Sequence, residues 1–220
     1  MFEVDLWVIS FALQEQRPVL SGEELRCAQA FSNPLMRNRY ERTRSTVRKV
    51  LGRRLEVAPA EIQFEKSANG KPHVAGTVRC EFSISHSGDF LIVATADAPI
   101  GVDIETRLPQ RGGLGLAERF FSGADFEIVR AVGAENVAAV FLRQWVAKEA
   151  ALKALGMGIG GGLAEAECEY REEEICAVRL PGARLSIRPF TLSDGTPGAA
   201  AVPGTEEMTL RWRDARELDA

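Results

Sequence analysis

Residues 80–105 read CEFSISHSGDFLIVATADAPIGVDIE, and the parsing of the whole chain follows from them. Two strand-like runs, 80–85 (CEFSIS) and 90–96 (FLIVATA), flank the turn-like His86-Ser87-Gly88-Asp89. Ala98-Pro99 interrupts, and a third run, Ile100–Ile104, follows. Toward the N-terminus, residues 2–11 (FEVDLWVISF) predict a strand. Ser21-Gly22-Glu23-Glu24 opens a short helix in a capping-box pattern. Residues 35–56 place Val47, Val50, Leu51 and Leu55 at helical spacing, and Ala68-Asn69-Gly70-Lys71-Pro72 predicts a turn. Toward the C-terminus, 107–115 (RLPQRGGLG) is loop-like, and Ser122 caps a helix to about Val132. Residues 135–155 carry the strongest helical pattern, with Val137, Val140, Phe141, Ala147, Ala151, Leu152 and Leu155 on it and Gly156 as its stop. After the glycine run 158–162, strand-like pieces fall near 166–171, 175–180, 184–190, 198–202 and 207–212. Strand, helices and strands thus occur twice in order. The expected fold is α+β in two halves, 1–99 and 100–220, each a small mostly antiparallel sheet packed with helices.

Composition fits that reading. The chain has 220 residues, 45% of them hydrophobic and 26% charged, enough to bury a core without disulfides or metal. No apolar run reaches the ~18 residues of a membrane span. The start, MFEVDLWVISF, lacks the basic region of a signal peptide. Cys27, Cys80, Cys168 and Cys176 form no C-x-x-C, and His73 and His86 are not paired with them. A zinc site or disulfide framework is therefore not expected, and a cytoplasmic location is.

The net charge of −4 conceals an asymmetry. Between Pro34 and Arg54 lie Arg37, Arg39, Arg42, Arg44, Arg48, Lys49, Arg53 and Arg54 against one acid, Glu41. That segment carries +7 and the remainder −11. The acidic total argues against a general nucleic-acid binder, and the segment predicts a local anion site.

Asp103 and Glu105 stand two apart on a predicted strand, so both carboxylates face one side. Such close like charges repel unless a cation sits between them, and carboxylate oxygens suit a hard ion such as Mg²⁺. A solvated strand face gives the same alternation. Glu149 and Lys153 share a helix face, with Trp145 one turn earlier, in the manner either of a site or of a surface ion pair beside a core tryptophan. Ser85-His86-Ser87 at a strand end can donate to phosphate oxygens or close a hairpin locally. Lys71 in a rigid turn can serve as a point charge for phosphate. Neither G-x-x-x-x-G-K-[ST] nor G-x-G-x-x-G is present.

Together, Gly70-Lys71-Pro72, Ser83-Ile84-Ser85-His86-Ser87, Ile100-Gly101-Val102-Asp103-Ile104-Glu105, Arg119-Phe120-Phe121-Ser122 and Phe141-x-x-x-Trp145-x-x-Lys148-Glu149-Ala150-x-x-Lys153-x-x-Gly156 resemble the 4′-phosphopantetheinyl transferases. The resemblance is to the single-chain, surfactin-synthetase-activating type. It implies transfer of the phosphopantetheine arm of coenzyme A to a serine of an acyl or peptidyl carrier protein, with release of adenosine 3′,5′-bisphosphate. By resemblance, Asp103, Glu105 and Glu149 match Mg²⁺ ligands, with Mn²⁺ as the alternative ion. Glu149 matches the residue that activates the carrier serine, and Lys153 the lysine near the pyrophosphate. Lys71, Pro72, Ser85 and His86 match coenzyme A contacts. Arg48 matches a basic position on the first long helix, with Arg39 and Arg42 as candidates for the 3′-phosphate. Phe120 and Phe121 lie in the segment that borders the carrier. A monomer is implied, with no nucleic-acid or membrane partner. The competing readings are a metal-dependent phosphohydrolase using the same carboxylates and an RNA-binding module using residues 34–54.

Overall fold

The strand runs that flank the predicted turn pair as expected, with one shift. In the computed structural model, which describes residues 2–12, 18–76, 80–106, 112–158, 162–205 and 207–218, β4 (Glu81–Ser87) pairs antiparallel with β5 (Phe90–Ala96). Ser87 stands opposite Phe90, so the turn is only Gly88-Asp89, and His86 and Ser87 are strand residues. Gly88 has φ +56, as a tight two-residue hairpin loop needs. With β1 (Phe2–Ser10) and β11 (Met208–Arg213) these strands form a four-stranded sheet among the described residues, ordered β11-β1-β5-β4. β11 lies parallel to β1, so the end of the chain returns to complete the first sheet.

The second sheet is antiparallel throughout, ordered β6-β10-β9-β8-β7. Its strands are β6 (Gly101–Ile104), β7 (Glu167–Arg171), β8 (Glu174–Leu180), β9 (Ala183–Thr191) and β10 (Pro197–Pro203). A short hairpin, β2 (Phe64–Lys66) with β3 (Pro72–Val74), carries the Gly70-Lys71 turn. The helices are α1 (Gly22–Gln29), α2 (Pro34–Leu55), α3 (Gly113–Phe120), α4 (Gly123–Ala131) and α5 (Val137–Ala154). Ser21 and Glu24 complete the predicted capping box. The loop expected at 107–115 lies outside the described residues over 107–111, and 113–115 instead open α3. The glycines hid this helix; Gly113 sits against the Phe141 side chain, where a larger residue has little room. The glycine run lies outside the described residues over 159–161.

Strand periodicity sorts the core into layers. Leu91 and Val93 of β5 face α2 with Trp7, Val47, Val50 and Leu51. Ile92, Ala94 and Ala96 face the second sheet, meeting Ile100, Val102, Ile104, Ala200 and Val202. The far side of that sheet packs Val178, Leu185, Ile187, Ala199 and Ala201 against Ala147, Ala150, Ala151 and Leu152 of α5. The order is helix, sheet, sheet, helix, an α+β architecture as expected.

One contact fixes α5 against β6. A Cβ placed on Gly101 would lie 1.8 Å from Ala150 O and 2.5 Å from Ala154 N. Helix backbone therefore rests directly on strand backbone, a fit open only to glycine. Gly101→Ala must push α5 off the strand. It is expected to cost at least about 3 kcal/mol, a fall of roughly 6–12 °C in Tm, measurable by calorimetry.

Candidate active site

β4 ends the first sheet and β6 ends the second, and the two edges lie side by side beneath α5. β6 presents Asp103, buried at 6% exposure, and α5 presents Glu149, buried at 3%. Asp103 Oδ1 accepts from Lys153 Nζ at 2.6 Å and from Ser85 Oγ at 2.7 Å. Lys153 also donates to Ile84 O at 3.3 Å and Val102 O at 3.2 Å, so its ammonium ties β4 to β6. Glu105 Oε1, just beyond β6, accepts from Ser87 Oγ at 2.5 Å. Glu149 Oε1 is buried with no hydrogen-bond partner among the described residues. Trp145, on the same stripe, packs edge-on to Phe120 and tilted on Phe121 and Phe141, a core role.

Burial pushes the Glu149 carboxyl up to about 7, the Asp103 charge adds to this, and Lys153 opposes both. Burial also raises Asp103, against the pull of Lys153 and Ser85. Two buried carboxylates thus share one ammonium. The orphaned oxygen of Glu149 beside Asp103 is the defect that a hard divalent ion would satisfy, and the all-oxygen donor set suits Mg²⁺ or Mn²⁺. Glu105 is held by Ser87, and no three His, Cys, Asp or Glu side chains among the described residues are gathered closely enough to hold a metal ion. The pair Asp103 and Glu149 fits such an ion; the full three-carboxylate set is not assembled.

A cavity of about 290 Å³ opens at Lys153, the partner of Asp103, and is lined also by Gly70, Lys71, Pro72, Gly156 and Met157. Lys71 Nζ donates to Ile100 O at 3.1 Å and Ala154 O at 3.4 Å, meeting the carbonyl end of α5. Burial lowers its pKa, and Glu81 opposes that. Lys71, Pro72 and Lys153 therefore converge as the motifs require. Ser85 is buried and engaged with Asp103 rather than turned to a ligand, while His86 is exposed.

The cationic segment proves different from its sequence reading. Arg48 is buried, with Nε on Glu24 Oε2 at 2.6 Å and Nη1 on Ile62 O at 2.8 Å and Pro59 O at 3.1 Å. Arg44 takes the other Glu24 oxygen at 2.8 Å. Arg42 donates to Phe11 O and Ser10 O and lies over the Phe11 ring. Arg39 donates to Gly88 O at 2.8 Å and pairs with Asp89. Arg53 holds Glu217, and Arg54 holds Asp5 and Asp97. Most of the +7 thus pins α2 to its surroundings, and the free anion site expected there is corrected accordingly. The carrier-side expectation narrows too. Phe121 is buried and stacked on Phe141 at 5.1 Å, leaving only Phe120 half-exposed. Sequence gave no sign of the buried pair of Lys148 with Asp125 at 2.7 Å, because Asp125 stands far off in the chain and presents itself only as an early residue of α4.

Fold and site define an α+β enzyme with buried carboxylates where two sheet edges meet. The model of the 4′-phosphopantetheinyl transferase superfamily matches residues 99–200, and that of the 4′-phosphopantetheinyl transferase N-terminal region matches 14–98. The chain is 33% identical to 4′-phosphopantetheinyl transferase HetI of Nostoc over 96% of its own length and 90% of HetI. It is 32% identical to psf-1 of Bacillus pumilus over 77% of this chain and 72% of that one. To Sfp of Bacillus subtilis it is 30% identical over 61% of this chain and 59% of Sfp. The chain belongs to the 4′-phosphopantetheinyl transferase superfamily and, with these relatives, to its surfactin-synthetase-activating type.

The Glu149 carboxyl links stability to pH. Unfolded, glutamate releases its proton near 4.5; folded, Glu149 does so near 7. Between those values the folded state holds the extra proton, so stability falls as pH rises from about 4.5 to about 7. Glu149→Gln removes that loss. In chelator, Tm of the variant is expected to exceed wild type by roughly 6–12 °C at pH 8, about 3 kcal/mol, and to approach it near pH 4. Equal melting curves at pH 8 would overturn the assignment.

Proposed function

We propose that this chain transfers the 4′-phosphopantetheine group of coenzyme A to a serine hydroxyl of an apo acyl or peptidyl carrier protein, releasing adenosine 3′,5′-bisphosphate. The observation that carries the reading is the unpartnered, buried Glu149 oxygen near the Asp103–Lys153 pair, whose lysine also lines the Lys71 cavity. Asp103 and Glu149 would hold Mg²⁺ or Mn²⁺, with Glu105 in support. A bound ion would supply charge neutralisation at the pyrophosphate.

The chain's own groups do the remaining work. Lys71 and Pro72 line the cavity that takes the phosphates, and His86 contacts them from β4. The carrier serine oxygen attacks the phosphorus that bears the pantetheine arm, and the anhydride bond to the nucleotide breaks. Glu149, as the carboxylate, accepts the serine proton. Lys153 meets the charge that grows on the departing phosphate. Two halves of one monomer act together, the first completed by β11 from the end of the chain, and Phe120 borders the carrier. No helix among the described residues is long and apolar enough to cross a membrane, and we place the protein in the cytoplasm. Carriers of fatty acid, polyketide and nonribosomal peptide synthesis are the candidate substrates.

The test is a mass-shift assay with coenzyme A, Mg²⁺ and a panel of apo carriers. One or more carriers should gain the mass of phosphopantetheine, and Asp103→Ala should reduce the rate at least about 10³-fold. Absence of any gain across the panel would overturn the proposal, and phosphate release from coenzyme A without a carrier would mark a hydrolase instead.

A further inference from the structure

The edges of the two sheets are not joined by a main-chain ladder. Each edge strand has unpaired backbone groups on its outer side, and these must be satisfied where they are buried. Here they meet side chains instead. Val102 N donates to Ser83 Oγ at 3.1 Å, Ile104 N to Ser85 Oγ at 3.3 Å, and Thr106 N to Ser87 Oγ at 2.9 Å. The three serines alternate along β4 and so share one face, and their three partners alternate in the same direction along β6 and the two residues that follow it. A hydroxyl is interposed at every rung.

A serine hydroxyl can accept an N–H and still donate its own proton. Ser85 donates to Asp103 Oδ1 at 2.7 Å, and Ser87 donates to Glu105 Oε1 at 2.5 Å. In each case the accepted N–H belongs to the residue immediately after the carboxylate. One hydroxyl thus grips the backbone and the side chain of the same short segment, fixing where that carboxylate points. The third rung lacks this second grip. The residue before Val102 is Gly101, which has no side chain to offer.

We propose that Ser83, Ser85 and Ser87 form a side-chain seam that joins the two sheets, and that Ser85 and Ser87 are positioning residues aiming Asp103 and Glu105. The metal-dependent part rests on the function proposed above; the seam itself does not. The bare Ser83 rung is a built-in control. Ser83→Ala removes a seam bond without touching a carboxylate, while Ser85→Ala removes a bond of the same kind and also the bond that holds Asp103.

Two measurements on the full-length protein separate these effects. Amide hydrogen exchange, without metal, should accelerate at Ile104 in Ser85→Ala and at Val102 in Ser83→Ala. Mn²⁺ titration followed by electron paramagnetic resonance should show affinity about tenfold weaker in Ser85→Ala, unchanged in Ser83→Ala, and restored by Ser85→Thr. Both alanine variants should lose a similar few degrees of Tm, so a purely structural role would move the two alike. Unchanged exchange at Ile104 in Ser85→Ala would overturn the seam. Equal Mn²⁺ affinity in Ser85→Ala and wild type would overturn the positioning role. If wild type binds no Mn²⁺, the metal reading of the function falls, and the exchange result still decides the seam.

Discussion

The approach of α5 to β6 at Gly101 is the constraint on which the rest depends. A helix normally keeps its distance from a sheet because side chains stand between them. At Gly101 nothing intervenes, and the helix backbone comes within van der Waals reach of the strand. That approach brings Glu149 and Lys153 down onto Asp103. A methyl group between the two elements would lift both α5 side chains away together, because they share one helix face. The small residues Ala147, Ala150, Ala151 and Ala154 extend the same close fit along the helix. Geometry at the site is thus set by residues without chemistry of their own.

Such closeness has an electrostatic cost. Asp103 and Glu149 lose water, which raises both pKa values; the Asp103 charge raises that of Glu149 further, and the Glu105 charge raises that of Asp103. Lys153 offsets part of this by lying on Asp103 and on two strand carbonyls, but it leaves one Glu149 oxygen unsatisfied. Buried carboxylates with incomplete partners destabilise a fold unless something else supplies the missing interaction. Proteins keep such arrangements where binding or catalysis uses them. The contrast with Glu24 is instructive. That carboxylate is also buried, yet Arg44, Arg48 and the Ser21 amide satisfy it, and its pKa falls below the ordinary value. One buried acid is fully partnered and the other keeps an unpartnered oxygen and a raised pKa, and the difference lies in their partners.

Much of this was legible in the sequence. The α5 stripe, the capping box at Ser21 and Glu24, the β4–β5 hairpin and the C-terminal strands all follow from local periodicity and turn chemistry, which act over a few residues. The motif residues Asp103, Glu149 and Lys153 lie together, and Lys71 shares a cavity with Lys153. What sequence could not show depends on distant partners. Eight cations within about one helix look like a free anion site until Glu24, Asp5, Asp97 and Glu217 fold back onto them. Ser85 looked like a ligand contact because a hydroxyl beside a histidine suits phosphate; only the neighbouring strand reveals that Asp103 already holds it. Helix α3 was lost to its own glycines, which lower helix propensity but permit packing on Phe141.

The same distinction explains why the two sheets meet as they do. A main-chain ladder would hold neighbouring strands about 4.8 Å apart and use every edge N–H and carbonyl on itself. Hydroxyls between β4 and β6 satisfy the β6 amides while leaving Ile84 O and Val102 O free to accept from Lys153. The ammonium therefore enters a gap that a continuous sheet would have closed, and it meets Asp103 inside that gap. A single sheet running across both halves would be stabler at this edge but would have no place for the lysine. Two sheets joined through side chains keep the strands aligned and leave polar groups facing inward, which is what chemistry on a phosphate ester between them would require.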